Sequence, residues 1–335
     1  MSSRNIFIRL VQLAAVLALL VVMLGAYTRL SDAGLGCPDW PGCYGHLGVP
    51  ESHEEVARAN EAFPQRQVEA HKAWKEMIHR YFAGTLGLLI LTITILAWRR
   101  RHTAPVGLGL PMALLAIVVF QALLGMWTVT LLVKPLVVTS HLIGGFTVFV
   151  LLWLLLLRAG VIETGSGVQR TGLKPLATLA LGILVVQILL GGWTSTNYAA
   201  VACTGFPTCN GEWWPQMDFS EGFVLWRGLG INYEFGVLDS AARKAVHMTH
   251  RIGALVTFVM LLVLALRGLR LRADTVLRRW SMALLAMLVV QVALGIANVT
   301  LGLPLGVAVA HNGVGALLLA VVVTFNYLVR VRSEN

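Results

Sequence analysis

Eight stretches of this sequence stay apolar for about twenty residues each, which confines the chain to folds that a lipid bilayer can hold. They run at about 8–30, 77–98, 108–131, 136–158, 174–196, 246–267, 280–302 and 305–329. A helix needs roughly 20 mostly apolar residues to cross the hydrocarbon core, so the expected fold class is all-α integral membrane with eight transmembrane helices. Composition agrees, with 57% of the 335 residues hydrophobic and only 13% charged. Arg4 and Arg9 precede the first run as they would a signal peptide. The run is too long for an h-region, and no small-x-small cleavage site follows, so it reads as a retained first helix.

A net charge of +10 raises the question of nucleic acid, and its distribution answers it. Fifteen Lys/Arg fall on one set of segments: Arg4, Arg9, the Arg99–Arg101 run, Arg158, Arg170, Lys174, five from Arg267 to Arg279, Arg330 and Arg332. The loops at 31–75 and 197–246 hold seven Lys/Arg against twelve Asp/Glu. The positive-inside rule then places both termini in the cytoplasm and the two large loops outside. The basic balance is spent on topology and anionic lipid, with no nucleic-acid partner. Without an Arg/Ser-rich transit extension, the expected home is a bacterial cytoplasmic (inner) membrane.

The two halves of the chain match each other. At an offset of 170, Gln121–Gly125 meets Gln291–Gly295, His141 meets His311 and Gly145 meets Gly315. His79-Arg80 meets His250-Arg251 at 171, while Cys37, Cys43, Gly25 and Thr28 meet Cys203, Cys209, Gly191 and Thr194 at 166. Each half holds four spans, an even number, so two tandem parallel four-helix repeats are expected, 1–158 and 174–335, joined by a cytoplasmic linker at 159–173 that contains Glu163–Gly167. The two cysteine pairs share one spacing on the oxidising side. Local disulfides Cys37–Cys43 and Cys203–Cys209 are the favoured reading over free buried thiols.

Of nine histidines, His46, His53, His71 and His102 read as solvated surface. His79, His141, His250 and His311 differ, since each lies just inside the outer end of an even-numbered span and recurs in the other half. Polar rings inside a span need partners. Two imidazoles on facing helices can ligate one haem iron axially, which pairs His79 with His141 and His250 with His311; hydrogen bonding to backbone carbonyls is the bland alternative. Gly144, Gly145, Gly313 and Gly315 would make room for a flat macrocycle or serve helix packing. Arg80 and Arg251 would pair with haem propionates or snorkel to the interface. The halves differ at Glu76, three residues before His79, where the second half has His247. A carboxylate beside only one pair is the best candidate for chemistry, as base or as stabilising charge; its alternative is an interfacial ion pair with Lys72 or Lys75. A di-iron bundle would need further glutamates, which the spans lack.

Thr28–Gly45, Glu76–Arg80, the histidines at 141, 250 and 311 and the second cysteine pair together resemble the haem A synthase family over essentially the whole chain. The resemblance implies oxidation of the position-eight methyl group of haem O to a formyl group, giving haem A for terminal oxidases. It further implies a resident haem b on His250 and His311, a substrate haem O between His79 and His141, and Glu76 at the family's functional glutamate. A haem O synthase is the implied substrate donor, beside an electron acceptor of unspecified kind, and self-association into a homo-oligomer is left open. Because some members lack the cysteines, the disulfides read as structural, and Trp40, Trp213 and Trp214 fit interfacial anchoring. The competing classes are a di-haem b-type electron carrier, serving quinol or a cytochrome without haem modification, and a parallel-repeat transporter.

Overall fold

The computed structural model describes residues 3–99, 106–163 and 171–331. Arg100, Arg101, His102, Arg170, Arg332 and residues 164–170 of the expected linker lie outside the described residues. Ten α-helices follow in order: α1 Ser3–Leu30, α2 His53–Ala62, α3 Ala70–Arg99, α4 Gly109–Thr130, α5 Pro135–Arg158, α6 Lys174–Thr196, α7 Phe219–Gly222, α8 Ser240–Arg270, α9 Thr275–Thr300 and α10 Leu305–Leu328. Eight of them, all but α2 and α7, are long and apolar enough to cross a membrane. Among the described residues there is no strand, only isolated bridges at Cys43/His46 and Cys209/Glu212.

Two spans begin well before their apolar runs. The structure begins α3 at Ala70 and α8 at Ser240, because hydropathy marks only the stretch facing hydrocarbon while the backbone ladder continues into the polar layer. Asp239 starts α8 as an N-cap, its side chain accepting from the Ala242 amide at 2.8 Å. As a result Glu76 and His79 sit well inside a helix whose first two turns stand above the apolar stretch.

Neighbouring helices close two rings, α1–α3–α4–α5 and α6–α8–α9–α10, and α1, α5, α6 and α10 meet between them. In each ring the histidine-bearing helices, α3 with α5 and α8 with α10, stand diagonally across. Buried Leu152, Leu155, Leu318 and Phe325 fill the central seam. Polar side chains there are satisfied internally, as lipid demands: the Trp153 indole donates to Thr324 Oγ1 at 2.8 Å, and the Asn326 amide donates to the Ala177 carbonyl at 2.8 Å. Large apolar side chains such as Leu13, Val16, Leu88, Val119, Leu255 and Val289 face outward instead, forming the belt that hydrocarbon covers.

The outer segments of the second ring close over the first. Arg66 pairs with Glu234 at 2.7 Å, the Tyr233 amide donates to the Leu132 carbonyl at 3.2 Å, and the Arg29 guanidinium lies 4.0 Å over the Tyr198 ring. Lys134, 2% exposed, donates to the Gly228 carbonyl and stacks 3.2 Å from the Trp226 ring centre. In the first outer segment Tyr44 packs edge-on against Phe63 and donates to the Gln67 carbonyl at 3.0 Å; burial pushes its phenol up to about 12, so it remains a donor.

Phe325 is fully buried against Gly268, where an added Cβ would lie 3.0 Å from the ring. Phe325→Ala is expected to cost roughly 3–5 kcal/mol, read as a lowered thermal unfolding midpoint in detergent.

Candidate haem-binding and catalytic site

Each of the four intramembrane histidines is half-buried and lies against a glycine of the preceding membrane helix. A Cβ on Gly25 of α1 would approach His79 Cε1 to 3.0 Å, and one on Gly191 of α6 would approach His250 Cε1 to 3.1 Å. Gly125 of α4 faces His141 in the same way at 3.5 Å, and Gly295 of α9 faces His311 at 3.2 Å. A side chain at Gly25, Gly191 or Gly295 would press on the ring, whereas a Cβ at Gly125 would reach ordinary van der Waals contact. The repeat comparison contains these glycines as matched pairs, but without coordinates nothing assigns them to the imidazoles. The glycines adjacent to the histidines do other work, since Gly144 meets the Gln121 side chain and Gly313 meets Met23 of the opposite ring.

His79 and His141 stand with ring centroids 6.4 Å apart and planes at 83°. Metal–imidazole bonds of roughly 2.0–2.1 Å place two trans nitrogens about 4 Å apart, with ring centres further apart still, so the separation accommodates an iron between them. His250 and His311 lie within electrostatic reach of each other. The Nδ1 atoms of His79, His141 and His311 are buried without a hydrogen-bond partner. Two imidazoles facing each other at this separation on diagonal helices fit an axial haem-ligand set. Among the described residues no three His, Cys, Asp or Glu side chains gather as a metal-binding group, so a carboxylate-bridged pair of irons has no ligand set here.

Glu76 is 5% exposed. Its Oε1 accepts from Arg80 at 2.5 Å and its Oε2 accepts from the Cys37 backbone amide at 2.9 Å. The alternative ion pair with Lys72 or Lys75 is not what forms: Lys72 pairs with Glu69 at 2.9 Å, and the Lys75 ammonium sits 5.3 Å from the Tyr27 ring centre. The Cys37 contact depends on Gly36, whose added Cβ would fall 2.6 Å from the Lys72 carbonyl carbon, so only glycine lets the loop lie flush on α3. The matching position before His250 holds His247, buried, with Nδ1 at 2.8 Å from the Ala199 carbonyl.

Both cysteine pairs are bonded, Cys37 to Cys43 and Cys203 to Cys209, and no cysteine is free. The arginine beside the first histidine of each ring holds the corresponding loop. Arg80 donates to the carbonyls of Asp39 at 3.0 Å, Pro41 at 3.3 Å and Gly42, while Arg251 donates to those of Gly205 at 3.0 Å, Thr208 at 3.0 Å and Pro207 at 3.4 Å. Both guanidiniums thus hold their own loop through backbone carbonyls. His46, His53 and His71 are exposed.

An all-helical, multi-pass membrane protein with two pairs of histidines and one buried carboxylate beside the first pair is the class that fold and site define. Residues 8–323 match the model of the COX15-CtaA family, described as cytochrome oxidase assembly protein, and the chain belongs to that family. It is 48% identical to the haem A synthase of Shewanella oneidensis over 97% of both chains. Haem A synthases of Rhizorhabdus wittichii, 30% identical over 92% of this chain and 89% of the relative, and of Halalkalibacterium halodurans, 26% identical over 94% and 93%, align with it as well.

Hydrogen bonds to a charged donor contribute roughly 1.5–3 kcal/mol. Arg80→Ala should therefore speed amide exchange in residues 37–46 about tenfold or more and leave 203–212 unchanged, and Arg251→Ala should do the reverse. Exchange mass spectrometry on the intact protein reads both.

Proposed function

We propose that this enzyme is a haem A synthase, an oxidoreductase that converts the position-eight methyl group of haem O to a formyl group in the inner membrane of a bacterium. The observation that carries the reading is the buried Glu76 carboxylate one turn from the facing His79–His141 pair, where the other ring has a neutral-capable His247 bonded to a carbonyl. His79 and His141 flank the substrate haem, and His250 and His311 ligate a resident haem b. A haem b held there supplies one-electron redox chemistry when bound. The chain's own part is to hold the substrate between two rings fixed by Gly25 and Gly125, and to place a carboxylate near the reacting carbon. The oxidation takes oxygen from water and passes electrons to an external acceptor, R–CH3 + H2O → R–CHO + 4 H+ + 4 e−; as hydride or electrons leave, positive charge builds on the methyl carbon, and Glu76 stabilises it or activates the attacking water. Residues 1–158 and 174–335 act as two parallel units, substrate half and haem b half, with both termini cytoplasmic and the disulfide loops outside. A haem O synthase hands over the substrate.

A di-haem electron carrier would use both histidine pairs alike and would have no use for a carboxylate beside one. Glu76→Gln is expected to bind haem b normally while haem O or a hydroxylated intermediate accumulates and haem A falls to a small fraction of wild type, in chromatographic profiles of extracted haems. Wild-type haem A in Glu76→Gln would return the electron-carrier reading. In the same preparations His250→Ala or His311→Ala should remove most b-type absorbance, whereas His79→Ala or His141→Ala should leave it largely intact.

A further inference from the structure

The reaction assigned to this chain releases electrons and protons in equal number, and both have to be taken up by another molecule. A groove of about 700 Å³ between α6 and α8 is large enough to receive one. Leu179 and Val186 of α6 and Val256 of α8 form its walls, each about half exposed, so the groove opens toward hydrocarbon. It follows α6 from Pro175 to Leu190, about 22 Å along the helix axis. Two glycines leave the space. A Cβ on Gly182 would meet nothing within 4 Å, and one on Gly253 would enter the place that Gln187 Oε1 occupies. At offsets of 166 and 171 the first ring has Val16 and Phe82 at these positions, both exposed. A glutamine against a glycine also occurs between α4 and α5, as Gln121 on Gly144, so the amide alone does not mark the groove. At the Leu190 end the groove meets Gln187, whose amide nitrogen donates to the His250 carbonyl at 3.0 Å. Its Oε1 is buried with no hydrogen-bond partner.

We infer that the groove between α6 and α8 docks the electron acceptor, a membrane quinone, with its ring at Gln187 and its tail along Leu179, Val186 and Val256. The inference deepens the haem A synthase reading and rests on it. Four electrons and four protons per formyl group are what two quinones take up: R–CH3 + H2O + 2 Q → R–CHO + 2 QH2. Each quinone gains two electrons and two protons, and a hydroxyl of the resulting quinol donates to Gln187 Oε1, the acceptor that otherwise stays unpaired. A one-electron carrier protein takes electrons without protons and would dock on a polar surface outside the hydrocarbon. A small polar oxidant has no use for a long apolar channel. The docked ring also lies beside His250, the residue assigned to haem b, since the Gln187 amide nitrogen is 3.0 Å from His250 Nδ1.

The test uses the full-length purified protein in lipid nanodiscs, an arylazido derivative of decylubiquinone as photoprobe, and peptide mass spectrometry to locate the label. Label is expected on the peptides that contain 175–190 and 253–257, and excess decylubiquinone should displace it. Gly182→Phe fills the groove from its open side and Val256→Trp from the facing wall. Each should lower the labelling about tenfold or more, while Val16→Phe, at the matching position of the first ring, leaves it at the wild-type level. Label that falls elsewhere, or that survives both groove variants, overturns the inference. So does an azido-phosphatidylcholine that labels the same peptides and is not displaced by decylubiquinone, which would make the groove a seat for lipid. Haems extracted from cells expressing the same proteins separate the two levels. Wild type that makes no haem A from haem O overturns the reading of function itself, whereas haem A made at the wild-type level by both groove variants overturns the docking site alone.

Discussion

A polar side chain in a membrane span has no water to turn to, and the arrangement of this molecule follows from where each one finds its partner. Threonines along the spans return their hydroxyls to the preceding turn, as Thr94 and Thr257 do. Trp153 and Asn326 spend theirs on the seam between the rings. Each of the four imidazoles is turned toward a glycine, and only His250 and His311 have a ring nitrogen beside a glutamine amide, Gln187 at 3.0 Å and Gln291 at 3.4 Å. Three keep an unpartnered Nδ1. The proposed haem assignment rests instead on their pairing across each ring, His79 and His141 standing with ring centroids 6.4 Å apart.

Hydropathy showed the eight spans almost to their ends, because the bilayer imposes a length that a sequence displays directly. It stopped short where α3 and α8 leave hydrocarbon: segments such as Ala70–Lys75 are helical and polar at once, and an apolar window does not register them. The histidines and Glu76 were legible for a related reason, since an ionisable residue stands out against an apolar background. The tasks of Arg80 and Arg251 were not legible. Their partners lie about forty residues away in chain, in loops whose fold is set by disulfides and by close approaches such as Gly36 on Lys72. Gly25, Gly125, Gly191 and Gly295 lay between these cases, visible as matched pairs yet without a role until the rings were placed opposite them.

The outer loops show how the two rings differ in use while sharing a plan. Arg29, Arg66 and Lys134 of the first ring and its loop are all spent on groups from residues 195–234. The second loop is therefore anchored over the first ring, the ring in which Glu76 is buried.

Glu76 is nonetheless paired with Arg80 at 2.5 Å, and a fully matched ion pair would offer a nearby developing cation little net field. The other partners of the guanidinium change the balance. Carbonyl oxygens of Asp39, Pro41 and Gly42 converge on one of its terminal nitrogens, and their negative ends offset part of the positive charge that Glu76 would otherwise neutralise alone. The Cys37 amide holds the other carboxylate oxygen without adding a full charge. Arg251 carries the same carbonyl clamp but has no carboxylate to orient, since His247 turns instead to the Ala199 carbonyl. The clamp is thus common to both rings and serves loop structure in each. In the first ring alone it also leaves a buried carboxylate with part of its charge uncompensated, which is the condition that the role proposed for Glu76 requires.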